Sequence, residues 1–306
     1  LHAKKMREQG RTFKPIFGCE AYFIPSISEW RDEYERALED KKRAKTLGSE
    51  LSGATVEDEN SSKKVQDVLR RRRHLILLAQ NQTGLQNIFK LISESYKSEN
   101  FYRYPRMDYD LLAKYGEGVI AASACLGGVY AGNFWENREE GDEAVLNAMR
   151  ETTRRMVAIF GDRWYGELQW NNVPEQHKLN QFIIKMHEEF GIGLISTADS
   201  HYPNPDAWKD RELYKRLGWL GKAAPSYEST ELPIDVDEIG YELYPKNGDQ
   251  MWESYKKYSA ECGVEYDDDL VLQSIKHTHE IAHQRIEDFL PDNTVRLPDF
   301  VVPAGY

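Results

Sequence analysis

The chain predicts an α/β fold on a largely parallel sheet, open or closed into a barrel. Three observations predict it. Short apolar runs rich in β-formers alternate with segments of helical periodicity through the middle of the chain. Candidate metal ligands fall near the ends of those runs. From Pro205 onward the strands thin out and helical patterns take over.

The 306 residues can bury one large core, or one core plus an appendage. Apolar residues make up 40%, an ordinary share for a water-soluble globular domain. No apolar run is long enough to span a bilayer, and no charged-then-apolar leader opens the sequence, so no membrane partner is expected. Cys19, Cys125 and Cys262 are odd in number, scattered and without CxxC spacing. They favour a reducing, cytoplasmic setting over a disulfide framework. A net charge of −11 argues against a generic electrostatic clamp on nucleic acid. It leaves room for a local site, or for a metal centre that brings its own positive charge.

In chain order, Leu1–Gln9 reads as the end of a helix, stopped by Gly10. If the alternation holds, at least one strand–helix unit precedes it. Strands are expected at Lys14–Ile24, Leu75–Ala79, Val119–Ala124, Trp164–Trp170 and Ile192–Ala198. Helices are expected between them at Thr83–Tyr96, Asp142–Ile159 and Glu175–Phe190. In the last, Leu179, Phe182, Ile183 and Met186 recur at helical spacing and Gly191 is a natural stop. Further helical patterns near Gln250–Tyr258 and Asp268–Ile286 suggest a helical appendage or the start of another domain.

Ser26–Arg73 interrupts the alternation. It is charged and carries few strong apolar residues. We expect a solvated helix at Ile27–Lys45, a flexible loop that includes the polar stretch Glu57–Lys64, and a short basic helix. The whole should protrude and pack poorly. The run Arg70–Arg73 could bind phosphate, but reads better as a solvated face.

Asp199-Ser200-His201 follows a buried-strand pattern, and a carboxylate and an imidazole two residues apart can both turn toward one divalent ion. Glu20, Cys125 and His74 lie near the ends of other runs. Each has a plainer reading: Glu20 as an edge-strand carboxylate, Cys125 as a small buried residue in the turn before Leu126-Gly127-Gly128. His74 sits at the start of its run, the wrong end if every strand is parallel. His177 and His187 fall on a predicted helix. His277, His279 and His283 lie in the tail; the i, i+4 pair His279/His283 could bind metal, but it lacks the HExxH glutamate spacing and reads as surface.

Five motifs occur in a telling order: KPIFGCEAYFIP (Lys14–Pro25), HLILLAQNQTGLQNIFKLIS (His74–Ser93), FYRYPRMD (Phe101–Asp108), GVIAASACLGG (Gly118–Gly128) and STADSHY (Ser196–Tyr202). Together they resemble the PHP (polymerase and histidinol phosphatase) domain of family C replicative polymerases, and Thr278–Gly305 resembles the stretch leading from it to the polymerase core. The resemblance implies a distorted seven-stranded (βα) barrel over residues 1–220, incomplete at its N-terminus, with 26–73 as an insertion. Residues 221–306 would be a helical segment toward the polymerase. It implies metal ligands at Glu20, His74, Cys125, Asp199 and His201, with Asp199 and His201 also catalytic. The family's HxH pair and two further ligands are expected before Leu1, and the polymerase palm, thumb and fingers after Tyr306.

The implied chemistry is metal-dependent phosphodiester hydrolysis as a 3′–5′ exonuclease beside DNA polymerisation. Zinc or manganese would serve the cluster and magnesium the polymerase site. Arg106 in PRMD could pair bidentately with a substrate phosphate. The implied partners are DNA, a sliding clamp and a proofreading exonuclease. Two other classes compete: an inert PHP scaffold that docks the separate exonuclease, and a free-standing PHP phosphatase on a small phosphate ester.

Overall fold

The five expected strands are all present and belong to one sheet. The computed structural model describes residues 2–50, 56–211, 213, 242–292 and 294. After helix α1 (His2–Glu8) come strand β1 (Gly18–Phe23), helices α2 (Ile27–Glu50) and α3 (Val56–Arg70), strand β2 (Arg73–Ala79) and helix α4 (Gln82–Ser95). A two-residue ribbon, β3 (Phe101–Tyr102) and β4 (Tyr104–Pro105), leads into helix α5 (Tyr109–Tyr115) and strand β5 (Val119–Ala122). Helices α6 (Val129–Asn137) and α7 (Asp142–Phe160), strand β6 (Trp164–Gln169), helix α8 (Pro174–Phe190) and strand β7 (Gly193–Thr197) follow. The tail contributes α9 (Gly248–Glu261) and α10 (Asp268–Glu280), the latter running into a π-helical turn at Ile281–Arg285.

The sheet order is β1-β2-β5-β6-β7. β5, β6 and β7 are parallel, but β2 is antiparallel to both β1 and β5. The largely parallel sheet expected from the alternation is therefore a mixed one. Among the described residues it holds five strands and does not close between β1 and β7, so the seven-stranded barrel stays a family expectation. The reversal of β2 has a consequence for chemistry. It brings the start of β2, with His74, to the sheet edge where β5 and β7 end.

The strand pleat sorts side chains onto two faces. Leu75, Leu77, Ala121, Trp164, Leu168 and Leu194 face the helices α4–α8 in the principal core. Ile76, Leu78, Ile120, Ala122, Tyr165 and Ile195 face the other way, where Ile281 and Ile286 from the end of the tail cover them. The tail helices are no appendage. Met251, Tyr255 and Val271 join the principal core, and His277 Nδ1 bonds the Leu194 carbonyl of the edge strand β7 at 2.8 Å. A domain boundary at 220/221 lies outside the described residues.

The inserted segment also departs from expectation. Glu57–Lys64 lies within α3, and α3 packs against α2. Few of the residues are apolar, but those few share a stripe: Ile27, Trp30, Ala37, Val65, Val68 and Leu69 are buried with Ile24 in a small core of their own. Sparse apolar content suffices when it all falls on the facing sides of two helices.

Candidate metal centre

Glu20 and His74 come from the paired strands β1 and β2, where Glu20 lies opposite Ile76 and Tyr22 opposite His74. Pairing and pleat put Glu20, Tyr22 and His74 on one face. The His74 Nδ1–Glu20 Oε1 distance is 2.6 Å. The loop after β5 folds over this ribbon, with His74 N–H donating to the Gly127 carbonyl at 2.9 Å. Its turn is tight: a Cβ on Gly128 would stand 2.1 Å from the Ser123 carbonyl, so only glycine fits. That turn sets Cys125 Sγ 3.7 Å from His74 Nδ1. One ligand atom from each of Glu20, His74 and Cys125 lies within 4.8 Å of the others. An oxygen, a nitrogen and a sulfur at that spacing fit a shared divalent ion.

Asp199 and His201 stand beside this trio, on the loop after β7. Asp199 has a left-handed backbone, φ 45°, which is uncommon for a non-glycine residue. Its carboxylate lies within electrostatic reach of Glu20, Cys125 and His74. His201 Nδ1 lies 2.6 Å from the Asp199 carbonyl and 3.9 Å from its Oδ2. The tail steadies the loop from outside, because the His201 N–H donates to the Leu243 carbonyl at 2.7 Å.

The electrostatics suit a cation. The hydrogen bond from His74 holds Glu20 below the usual carboxylate range. Burial raises Asp199, and the charge on Glu20 adds to the shift. Burial pushes the Cys125 thiol up to about 12, with Asp199 contributing. Among the described residues no lysine or arginine pairs with Glu20 or Asp199; their ion-pair partners are His74 and His201.

Two residues alter the sequence-based picture. Arg106, expected to read a phosphate, is fully buried. Its guanidinium donates to the carbonyls of Arg71, Tyr104 and Leu69 and lies 4.1 Å over the Trp30 ring. It is a clasp between the α2–α3 hairpin and β4, walled off from any substrate. Asp108 of the same motif caps α5 and accepts the Ile27 N–H at 3.0 Å, so it too holds the hairpin. Glu167, which sequence reasoning passed over, is buried in β6 behind the cluster, where burial pushes it up to about 7. A lone glutamate inside the aromatic run WYGELQW was the signal that could have found it.

The other histidines stay away from the cluster. His177 is fully buried between Tyr266 and the Asn171 carbonyl, and His279 stacks on His283 with ring centroids 4.1 Å apart.

Residues 2–171, more than half of the chain, match the PHP domain family. The chain belongs to the PHP domain family. This PHP chain is also similar to proteins named DNA polymerase III subunit alpha. It is 37% identical over 303 residues to that of Aquifex aeolicus, covering 98% of this chain and 22% of the relative. Identity to the Thermus aquaticus protein is 39% over 235 residues, covering 76% of this chain and 17% of the relative. With Treponema pallidum it is 31% over 307 residues, covering 100% and 21%. The PHP chain thus spans about a fifth of the length of the curated relatives it matches. No helix among its described residues is long and apolar enough to cross a membrane.

Proposed function

We propose that this chain is the PHP region of a DNA polymerase III alpha subunit, and that its metal centre gives the intact cytoplasmic protein a metal-dependent 3′–5′ exonuclease beside its polymerase. The observation that carries the reading is the trio of donor atoms from Glu20, His74 and Cys125 within 4.8 Å of one another. Asp199 and His201 extend the donor set, and the sulfur of Cys125 favours zinc, with manganese as the alternative suited to the carboxylates. A divalent ion bound by these residues would supply a water activated near neutral pH and positive charge for the phosphoryl oxygens.

The chain's own residues supply the rest. Glu20, Asp199 and Cys125, once its thiol had given up its proton to the solvent on binding, would balance the positive charge of an ion, while His74 and His201 would offer ring nitrogens. Asp199 and His201, on the loop at the open rim, stand where the reacting phosphate would enter. With Arg106 buried, Arg72 is the better cation for an adjacent phosphate. It precedes β2 at the same edge and is clamped over Tyr104 at 4.0 Å and Tyr22 at 5.0 Å, with no carboxylate partner among the described residues. DNA is the substrate in this reading. A sliding clamp and a proofreading exonuclease are the expected protein partners, and magnesium serves the polymerase site.

The test is the purified intact protein, loaded with manganese or zinc, on a 3′-labelled oligonucleotide. It should release nucleotides from the 3′ end, chelation should stop it, and Asp199→Asn should slow it by about 100-fold or more. Normal polymerisation with no DNA degradation would replace this reading with the inert scaffold. Hydrolysis of small phosphate esters alone would point to a phosphatase.

A further inference from the structure

Glu167 has a geometry that burial alone does not explain. It lies in β6, the strand between β5 and β7. Both of its oxygens are used, and they reach in opposite directions. Oε1 accepts the Ala124 N–H at 2.9 Å, and Oε2 accepts the Thr197 hydroxyl at 2.7 Å. Its own N–H donates to Ser123 Oγ at 2.9 Å. Ala124 immediately precedes Cys125, and Thr197 lies two residues before Asp199. The loops it grips are the two that carry candidate ligands on the parallel side of the sheet.

Each loop also contains a non-glycine residue in the left-handed region, Ala124 at φ 61° and Asp199 at φ 45°. Such conformations persist where the surroundings over-determine them. The Glu167 carboxylate supplies part of that constraint, because a bond to the Ala124 N–H fixes the peptide at the turn. Its 4% exposure and fully used oxygens set it apart from the ligand trio, to which it does not belong. A buried carboxylate with unused oxygens would be a candidate ligand; this one is committed to the loops.

We propose that Glu167 is the positioning residue of the metal centre, tying the Cys125 loop to the Asp199 loop across β6 so that both side chains are presented to one ion cluster. The inference rests on the metal reading above and adds the element that sets its geometry. Residues that orient ligands in this way typically change metal affinity by 10–100-fold when removed.

The experiment uses the intact protein loaded with cobalt(II), whose visible spectrum reports a thiolate ligand and its geometry. Cobalt and zinc dissociation constants come from competition with a chromophoric chelator. Glu167→Ala should weaken binding by about 10–100-fold and shift or abolish the thiolate band, with the far-ultraviolet circular dichroism unchanged. Glu167→Gln should recover most of the affinity. Its Oε1 still accepts the Ala124 N–H, and its amide can donate to a Thr197 hydroxyl that turns to accept. If Glu167→Ala fails to fold, Thr197→Val, which keeps the Ala124 arm and removes the Glu167 Oε2 arm together with the bond from the Gln169 amide, should show a smaller loss of the same kind. Wild-type affinity and spectrum in Glu167→Ala, or in Thr197→Val when the alanine variant does not fold, would overturn the proposal.

If the wild type binds no metal, the metal reading fails by itself, and site-resolved alkylation of Cys125 in the metal-free protein decides about Glu167. Glu167→Ala should then react about fivefold faster, as one lost hydrogen bond allows. An unchanged rate would overturn the positioning role.

Discussion

The α2–α3 hairpin and the mouth of the sheet are both rich in charge, but they dispose of it differently. In the hairpin several charges meet partners suited to them. Arg71 forms a two-pronged pair with Glu33, Lys64 reaches Asp40, and the buried Arg106 is spent on backbone carbonyls. At the mouth, Glu20, Asp199 and Glu167 crowd together around a thiol, and among the described residues only histidines form ion pairs with them. Three of these acids, counting the Cys125 thiol, are raised by burial. Uncompensated acid at one place and compensated charge at another teach the same lesson. What marks a site is charge whose counter-charge the protein does not itself provide.

The largest effect expected on the hairpin side is from Arg106→Met. Losing the donors to three carbonyls should destabilise the protein by about 3 kcal/mol or more, read as a lowered Tm, while metal affinity stays unchanged. Unchanged stability with a raised KM for DNA would restore Arg106 as a phosphate contact.

A middle-sized effect separates the two regions by pH. Glu167 is raised from its ordinary 4.5 to about 7, so in the metal-free protein its stabilising contribution is fully present below about pH 4.5. That contribution is lost as pH climbs through about 7, and Asp199 shifts in the same direction. Metal binding requires deprotonated ligands. The rise in Tm on adding zinc should therefore grow from pH 5 to pH 8. A rise that is flat or falls with pH would place the ion away from these acids.

The smallest effect is at the hairpin surface. The Lys64–Asp40 pair, 3.1 Å apart and half exposed, is screened by water. Lys64→Ala should change stability by no more than about 0.5 kcal/mol in chemical denaturation. A larger loss would mean that the hairpin depends on its surface charge as well as on its small core.

Much of the fold was legible in the residues. The apolar runs from Lys14–Ile24 to Ile192–Ala198 all became strands, four of them trimmed at the ends and Leu75–Ala79 extended back to Arg73, because a buried strand leaves a short β-rich run bounded by turn formers. Strand direction leaves no such mark. The reversal of β2 was invisible, and His74 looked misplaced until the antiparallel pairing carried it to the right edge. The candidate ligands Glu20, His74, Cys125, Asp199 and His201 stood out in the sequence only as a set in family order, since Glu20 or Cys125 alone has a commoner explanation. Arg106 was misread because a motif shows that an arginine matters and not whether it faces water. The stripe in α2 and α3 was missed because its apolar residues are few and interleaved with charge.

The account turns on a divalent ion at the mouth of the sheet. A crystal of the intact protein grown with zinc, with diffraction data collected on both sides of the zinc absorption edge, tests this most directly. An anomalous peak should lie among Glu20, His74 and Cys125, about 2.3 Å from the Cys125 sulfur and about 2.0–2.1 Å from the His74 nitrogen. A map with no anomalous peak there, while the same crystals bind zinc elsewhere, would contradict it.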